Sequence, residues 1–181
     1  MKKLLSLGLI LCMLLCTACG TSTPRDALKA DMEAAKSSPE EIIGDIGETG
    51  FGKEATSALV DKVLDFDYEV FDEKIDGNTA TVETTITTYP FGEIFGNVVA
   101  DLFAEALSGK EMTTEEAAQL MDQSLLDRLD EAEKSYKTTV SITLIKEGDN
   151  WIVQESDEMS NALTGGLLDF ISQSSNSAAS E

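Results

Sequence analysis

The chain has 181 residues, 34 acidic against 13 basic and none of them histidine, for a formal charge of −21. Such a surface repels nucleic acid and anionic headgroups. Without histidine, neither a Ser-His-Asp nor a Cys-His site can be assembled, and the commonest zinc ligand is missing. Carboxylates remain as possible catalysts or hard-cation ligands, but 34 of them offer many accidental pairs. No aspartic-protease triplet or calcium-loop spacing stands among them, so the sequence assigns no catalytic, metal-binding or cofactor-binding residue.

The chain opens with Met1-Lys2-Lys3, runs apolar from Leu4 to Leu15, and reaches Cys16-Thr17-Ala18-Cys19-Gly20. This is the basic, apolar, small-residue order of a secretory signal, and the run falls short of the roughly 20 apolar residues a spanning helix needs. Thr17 and Ala18 before a cysteine resemble the lipobox of bacterial lipoproteins, with Cys16 where leucine is usual. That resemblance implies a signal peptide over residues 1–18 and a lipid on Cys19, the new N-terminus. Residues 19–23 are then a short tether. A diacylglyceryl group, with palmitate-type chains at about 0.8 kcal/mol per buried methylene, anchors durably where one chain would not. The expected location is the extracytoplasmic side of the cell membrane. An ordinary cleaved signal with a spare thiol is the alternative. Loss of Lys2 and Lys3 takes the charge from −21 to −23. Cys12 and Cys16 leave with the signal, so no disulfide can form in the mature chain.

Residues 24–171 are expected to form a single α+β domain, and 172–181, mostly Ser, Ala and Asn, a disordered tail. Thr23-Pro24-Arg25-Asp26 and Ser38-Pro39-Glu40-Glu41 each place a hydroxyl N-cap before proline and acid. They predict helices to about Lys36 and about Ile46. A third helix, about Lys53 to Leu64, carries Leu59, Val60, Val63 and Leu64 on one stripe. From Asp67 the period becomes two, through Tyr68, Val70 and then Ile75, to a turn at Asp76-Gly77-Asn78. The returning strand, Thr79 to Tyr89, puts Ala80, Val82, Thr84 and Ile86 on one face and Thr81, Glu83, Thr85, Thr87 and Tyr89 on the other. A second hairpin alternates Val140, Ile142 and Leu144 with Thr139, Ser141 and Thr143, turns at Gly148-Asp149-Asn150, and returns through Trp151 and Val153.

Between the hairpins, Phe91, Ile94, Phe95, Val98, Val99, Leu102, Phe103, Ala106 and Leu107 recur at helical spacing. Thr113 and Glu116 then form a capping box for a helix carrying Ala117, Leu120, Met121, Leu125, Leu129 and Ala132. Asn161 to Ile171 is amphipathic, but Gly165-Gly166 counts against a continuous helix. The expected fold is thus α+β: a four-stranded curved antiparallel sheet packed by N-terminal helices, with a helical hairpin inserted between the two β-hairpins.

This order, closing on Leu144-Ile145-Lys146-Glu147-Gly148-Asp149-Asn150-Trp151-Ile152-Val153, resembles small Gram-positive lipoproteins of unknown function. Their domain is similar to the nuclear transport factor 2 and cystatin-like α+β folds. The likeness covers roughly Pro24 to Gln154. It implies a sheet wrapped into a cone that serves as ligand pocket, protein interface or isomerase site. Enzymatic members place a His or an Asp pair in the cone, and no residue here matches such a motif. The helical pair from Phe91 to Lys134 departs from the simplest pattern and is positioned to cap or fill the cone.

Gly47-Glu48-Thr49-Gly50-Phe51-Gly52-Lys53-Glu54 imitates a phosphate-binding loop, but Glu54 stands where Ser or Thr must meet magnesium. Tyr68, Tyr89, Tyr136 and Trp151, each an apolar body with a polar tip, are the candidates to line a ligand cup. Core and rim packing is the plainer reading of them. The threonine-rich face suits a solvated strand. The Phe91–Leu107 stripe suits core packing first and a partner interface second.

The first functional reading is a membrane-anchored, non-catalytic binding module for a small ligand, peptide or envelope partner, acting through the sheet's concavity or the helical hairpin. The alternatives are a carboxylate-dependent hydrolase or isomerase in the cone, and a structural or chaperone-like envelope protein. An enzyme requires a desolvated carboxylate of raised pKa in an open pocket. A binding module requires only an apolar or aromatic surface.

Overall fold

The structure is a computed structural model describing residues 23–38, 51–109 and 111–178. Cys19 and the helix expected near 39–46 lie outside the described residues. The elements are α1 (Pro24–Lys36), α2 (Lys53–Leu64), β1 (Asp67–Asp76), β2 (Thr79–Thr88), α3 (Phe91–Leu107), α4 (Thr114–Glu131), β3 (Tyr136–Glu147), β4 (Asn150–Val153), α5 (Asp157–Leu163) and α6 (Leu167–Ala178).

Local chemistry sets the boundaries. Thr23 Oγ1 accepts from the Asp26 amide at 3.2 Å, and Asp26 answers as acceptor to the Thr23 amide, closing a capping box at α1. Thr113 and Glu116 build the same box at α4, at 3.2 and 2.8 Å. Gly77 and Gly148 both adopt φ of +61°, the left-handed region that tight hairpin turns demand.

The four strands form one antiparallel sheet in the order β1-β2-β3-β4. β1 carries a bulge between Val70 and Asp72, which inserts Phe71 and shifts the phase. Glu73 and Ile75 therefore stand opposite the inward-facing Val82 and Ala80. On β2 the residues Ala80, Val82, Thr84, Ile86 and Thr88 are all buried, and on β3 Val140, Ile142 and Leu144. Leu28 and Met32 of α1 and Met159 and Ala162 of α5 pack against this face, together with Trp151 and Val153.

A second core is entirely helical. Ala55 and Leu59 of α2, Phe91, Ile94 and Val98 of α3, Leu125 and Leu129 of α4, and Tyr89 form it, with Leu167 of α6 at its border. The helical hairpin α3–α4 thus does not fill or cap the sheet. Its stripe finds partners in α2 and α6 instead, beyond the end of the sheet at which β2 leaves and β3 enters. Of the described N-terminal helices only α1 covers the sheet, and α5, from the far end of the chain, completes the cover.

Gly165 and Gly166 do end a helix, at φ of +53° and +80°, and a second helix then begins. A side chain at Gly165 would strike the Tyr89 carbonyl oxygen, whose neighbourhood is closed by the hydrogen bond from the Gly92 amide to the Gly165 carbonyl at 3.1 Å. Gly96 lies close under the Phe170 ring, whose edge would be 3.3 Å from an added Cβ. α6 continues to Ala178, past residue 172 where the sequence predicts the tail to begin. The hydroxyls of Ser172 and Ser174 donate to the carbonyls one turn earlier, at 2.8 Å each, so these serines are satisfied within the helix.

Candidate functional site

The four aromatic candidates occupy different places. Tyr68 packs at the edge of the sheet core, and its hydroxyl donates to Glu33 Oε1 at 2.9 Å; burial and that carboxylate push it up to about 12. Trp151 belongs to the same core from β4, three strands away, roughly 14 Å at the usual strand spacing. Tyr89 is buried in the helical core. Tyr136 lies at the junction, with its ring against Gly166. They bridge elements and do not surround one cup.

Tyr89 anchors a charged junction that sequence reasoning missed. Its hydroxyl donates to Asp65 Oδ2 at 2.8 Å, while Lys134 Nζ reaches Asp65 at 2.6 Å and Asp67 at 3.1 Å. Hydrogen bonds from Lys134 and Tyr89 hold the Asp65 carboxyl below its ordinary value. Burial works against the Lys134 charge, but the hydrogen bonds to both aspartates outweigh it and raise its pKa. Desolvation, then the Asp65 contact, raises Tyr89. The network ties the ends of α2 and β2 to the chain entering β3.

A second cluster clamps α3 to α4. Ser124 Oγ donates to Asp101 Oδ2 at 2.6 Å, and Arg128 Nη2 meets the same oxygen at 2.6 Å. The two hydrogen bonds lower the Asp101 pKa. An aspartate so held is a poor base, so Ser124 is no activated nucleophile. The i, i+4 spacing of Ser124 and Arg128 was the available signal.

Beside this clamp a shallow cleft of about 220 Å³ opens between α3 and α4, lined by Pro90, Glu93, Ile94, Asn97, Arg128 and Glu131 among others. Small-molecule sites are typically about 300–1,000 Å³ and mostly apolar. The carboxylate of raised pKa is elsewhere: Asp31 on α1 is brought to about 6 by burial and by Glu155, which follows β4. Asp31 is not among the residues that line this cleft. Among the described residues, no group of three or more His, Cys, Asp or Glu side chains could hold a metal ion. At the imitation phosphate loop, the Gly52 amide donates to Asp122 Oδ1 at 2.8 Å, placing a carboxylate where phosphate would bind.

The apolar stripe of α3 divides along its length. Phe91, Ile94 and Val98 are buried, whereas Val99, Phe103 and Leu107 are 39%, 65% and 86% exposed. At i, i+4 and i+8 these three form a straight ridge about 12 Å long. Polar alternation leaves the sheet's other face wet: Thr85 and Thr139 hydroxyls meet at 2.9 Å, and Ser141 bonds Glu83. Phe71, Ile75 and Ile145 of the sheet are also exposed, but singly placed on their strands; the ridge is a continuous apolar row that core packing does not explain, and it is the candidate site.

No protein-family model matches the chain, and no curated protein matches it either. Among solved structures, "Crystal structure of a putative lipoprotein (ycdA) from Bacillus subtilis" is similar, with 15% identity and a TM-score of 0.41 over 80% of this chain. The chain spans about half of that protein, 47% of its length. A likeness of this degree transfers neither fold nor function. Among the described residues, no helix is long and apolar enough to cross a membrane.

Proposed function

We propose that the protein is a lipid-anchored extracytoplasmic lipoprotein, held through Cys19, that binds an envelope partner without catalysis through the α3 ridge. The supporting observation is the exposure of Val99, Phe103 and Leu107 on a helix whose preceding turns are buried. An apolar row left in water lacks a stabilising role in the isolated fold.

The position of the anchor fits this reading. α1 runs antiparallel to β1: the Arg25 amide donates to Glu73 at 2.9 Å, Tyr68 meets Glu33, and Lys36 lies 5.0 Å from the Phe66 ring centroid. Thr23 therefore points toward the end of the sheet carrying both hairpin turns. The helical hairpin leaves from the opposite end, where Phe91 follows β2 and Glu131 precedes β3. Cys19 stands four residues before Thr23, a reach of at most about 15 Å. The tether thus starts near the end of the sheet opposite the one from which the helical hairpin leaves.

Two measurements test the proposal. Cys19→Ala should move the protein from the membrane to the soluble fraction, and retention in the membrane would refute the anchor. A photo-crosslinking residue in place of Phe103 should give a discrete adduct in intact cells, with none from the same residue at Thr143 on the wet sheet face. Equal labelling from both positions, or from neither, would refute the binding surface.

A further inference from the structure

The two edges of the sheet are built differently. β1, at one edge, is guarded. A bulge breaks its register between Val70 and Asp72, and the Arg25 guanidinium donates to the Phe71 carbonyl at 3.2 Å. Charges stand along it at Asp67, Glu69, Asp72 and Lys74. Bulges, charges and covering segments are the devices that keep an edge from pairing with another chain.

The opposite edge is only partly closed. β3 has 12 residues, of which β4 pairs Leu144 to Glu147. The ladder ends one bond further, where the Gln154 amide donates to the Thr143 carbonyl at 2.8 Å. Successive residues of a strand aim their backbone groups at opposite neighbours. The Lys146 amide donates toward β2, to the Asn78 carbonyl, and Thr143 accepts on the β4 side. Lys137, Thr139 and Ser141 therefore turn their N–H and C=O groups away from β2. Among the described residues no strand pairs with them, and each of these residues is exposed. α5 lies over the inner face, in contact with β2 as well as β3. Apart from Lys137, this edge has none of the guards of β1. The β2–β3 register runs unbroken from Tyr136 to Ile145, and residues 138–143 hold no charge and no proline.

A row of outward N–H and C=O groups at strand spacing is complementary to another extended backbone. We infer that β3, between Lys137 and Ser141, captures an extended segment of a partner protein as an added strand, antiparallel to β3 and in line with β4. The slot is about 17 Å long, five residues at about 3.4 Å each. Thr143, beside Gln154, lies outside it. Partner side chains opposite Thr139 and Ser141 share the wet face and suit polar residues. Those opposite Thr138 and Val140 border the sheet core and suit apolar ones. A second copy fits poorly. Two-fold pairing that sets Ser141 against Lys137 also sets Thr143 against Ser135, yet Gln154 already holds that place beside Thr143. β4 of each copy would then meet the chain entering β3 of the other. The α3 ridge is a separate surface, and this inference does not rest on it.

The test uses the mature protein in phosphatidylcholine nanodiscs. The probe is a fluorescent seven-residue peptide alternating threonine and valine, N-methylated at every second residue so that one edge alone can bond. Its control is N-methylated throughout and has no donor. Amide hydrogen exchange, read residue by residue, should show Thr139 and Ser141 exchanging at least tenfold faster than Val140 and Ile142 in the free protein. The probe should slow Thr139 and Ser141 at least tenfold and, by anisotropy, bind at least tenfold tighter than the control. Thr139→Pro removes an outward N–H where an edge strand tolerates proline, and should weaken the probe at least tenfold. If that variant melts below the parent, the exchange measurement on the unaltered protein decides.

Equal protection of Thr139 and Val140 in the free protein would mean that the edge is already covered, and would overturn the inference. Equal binding of the fully methylated control, or protection gained on β1 instead, would overturn it as well. So would sedimentation showing dimers that the probe dissociates, which would make the occupant a second copy.

Discussion

Replacing Thr84 by valine should stabilise the protein. Thr84 is fully buried on the inner face of β2, and its hydroxyl has no hydrogen-bond partner. A buried hydroxyl left unsatisfied costs about 1–3 kcal/mol in mutational data. Valine keeps the shape, the χ1 preference and the strand propensity. The expected gain is about 1–2 kcal/mol, which raises the melting temperature by about 3–6 °C in a chain of this size. Thr88 is buried and unpartnered in the same way. Four residues along a strand separate the two by about 13 Å, so the double variant should gain the sum. Thr85→Val on the wet face, which breaks the Thr85–Thr139 hydroxyl pair, should shift stability by less than about 0.5 kcal/mol. Calorimetry and urea titration measure all three. A Thr84→Val protein that melts at or below the parent temperature refutes the reasoning, because the hydroxyl must then have a partner such as a buried water.

Three further outcomes follow from the packing. Gly165→Ala should destabilise by about 2–3 kcal/mol or more, since left-handed strain of about 1 kcal/mol adds to a collision with the Tyr89 carbonyl; Gly77→Ala, at similar φ in open space, should lose only the strain. Thermal melts compare the two. Asp31→Asn tests the raised carboxyl: with the folded pKa near 6 against an ordinary 3.8, the native state keeps the proton that the unfolded chain releases. Its contribution is complete below pH 4 and is lost as pH climbs through 6. The variant should therefore exceed the parent by about 1–2 kcal/mol at pH 7, after discounting for solvent screening, and match it below pH 4. Ser124→Ala removes a buried hydroxyl from the α3–α4 clamp and should lower the urea midpoint by about 1 kcal/mol equivalent at unchanged slope.

Much of the fold is legible because short-range chemistry specifies it. Thr23 with Pro24, Thr113 with Glu116, and the turns at Gly77 and Gly148 act within four residues, and each stands where the sequence puts it. The bulge left only a faint trace, an apolar pattern that is even at Tyr68 and Val70 and odd at Ile75; the register, not the pattern, places the extra residue at Phe71. What escaped was the partner of each apolar face. The stripe of α3 has the same period whether it covers a sheet or meets α4 and α6, so the second core was invisible. Tyr89, Tyr136 and Trp151 have the composition of a ligand cup, yet composition carries no information on convergence. The ridge at Val99, Phe103 and Leu107 could not be told from its buried continuation, because exposure there depends on which side of α3 the helices α4 and α6 cover.

The glycine pair at 165–166 has a consequence for biogenesis. α5 completes the sheet core with Met159 and Ala162, and α6 brings Leu167 to the helical one, both supplied by the last quarter of the chain. β4 contributes Trp151 and Val153 at the same late stage. A polypeptide threaded through a translocation channel from its N-terminus would therefore lack finishing pieces of both halves until nearly all of it had passed. The emerging part of the chain therefore completes neither core until its last helices arrive.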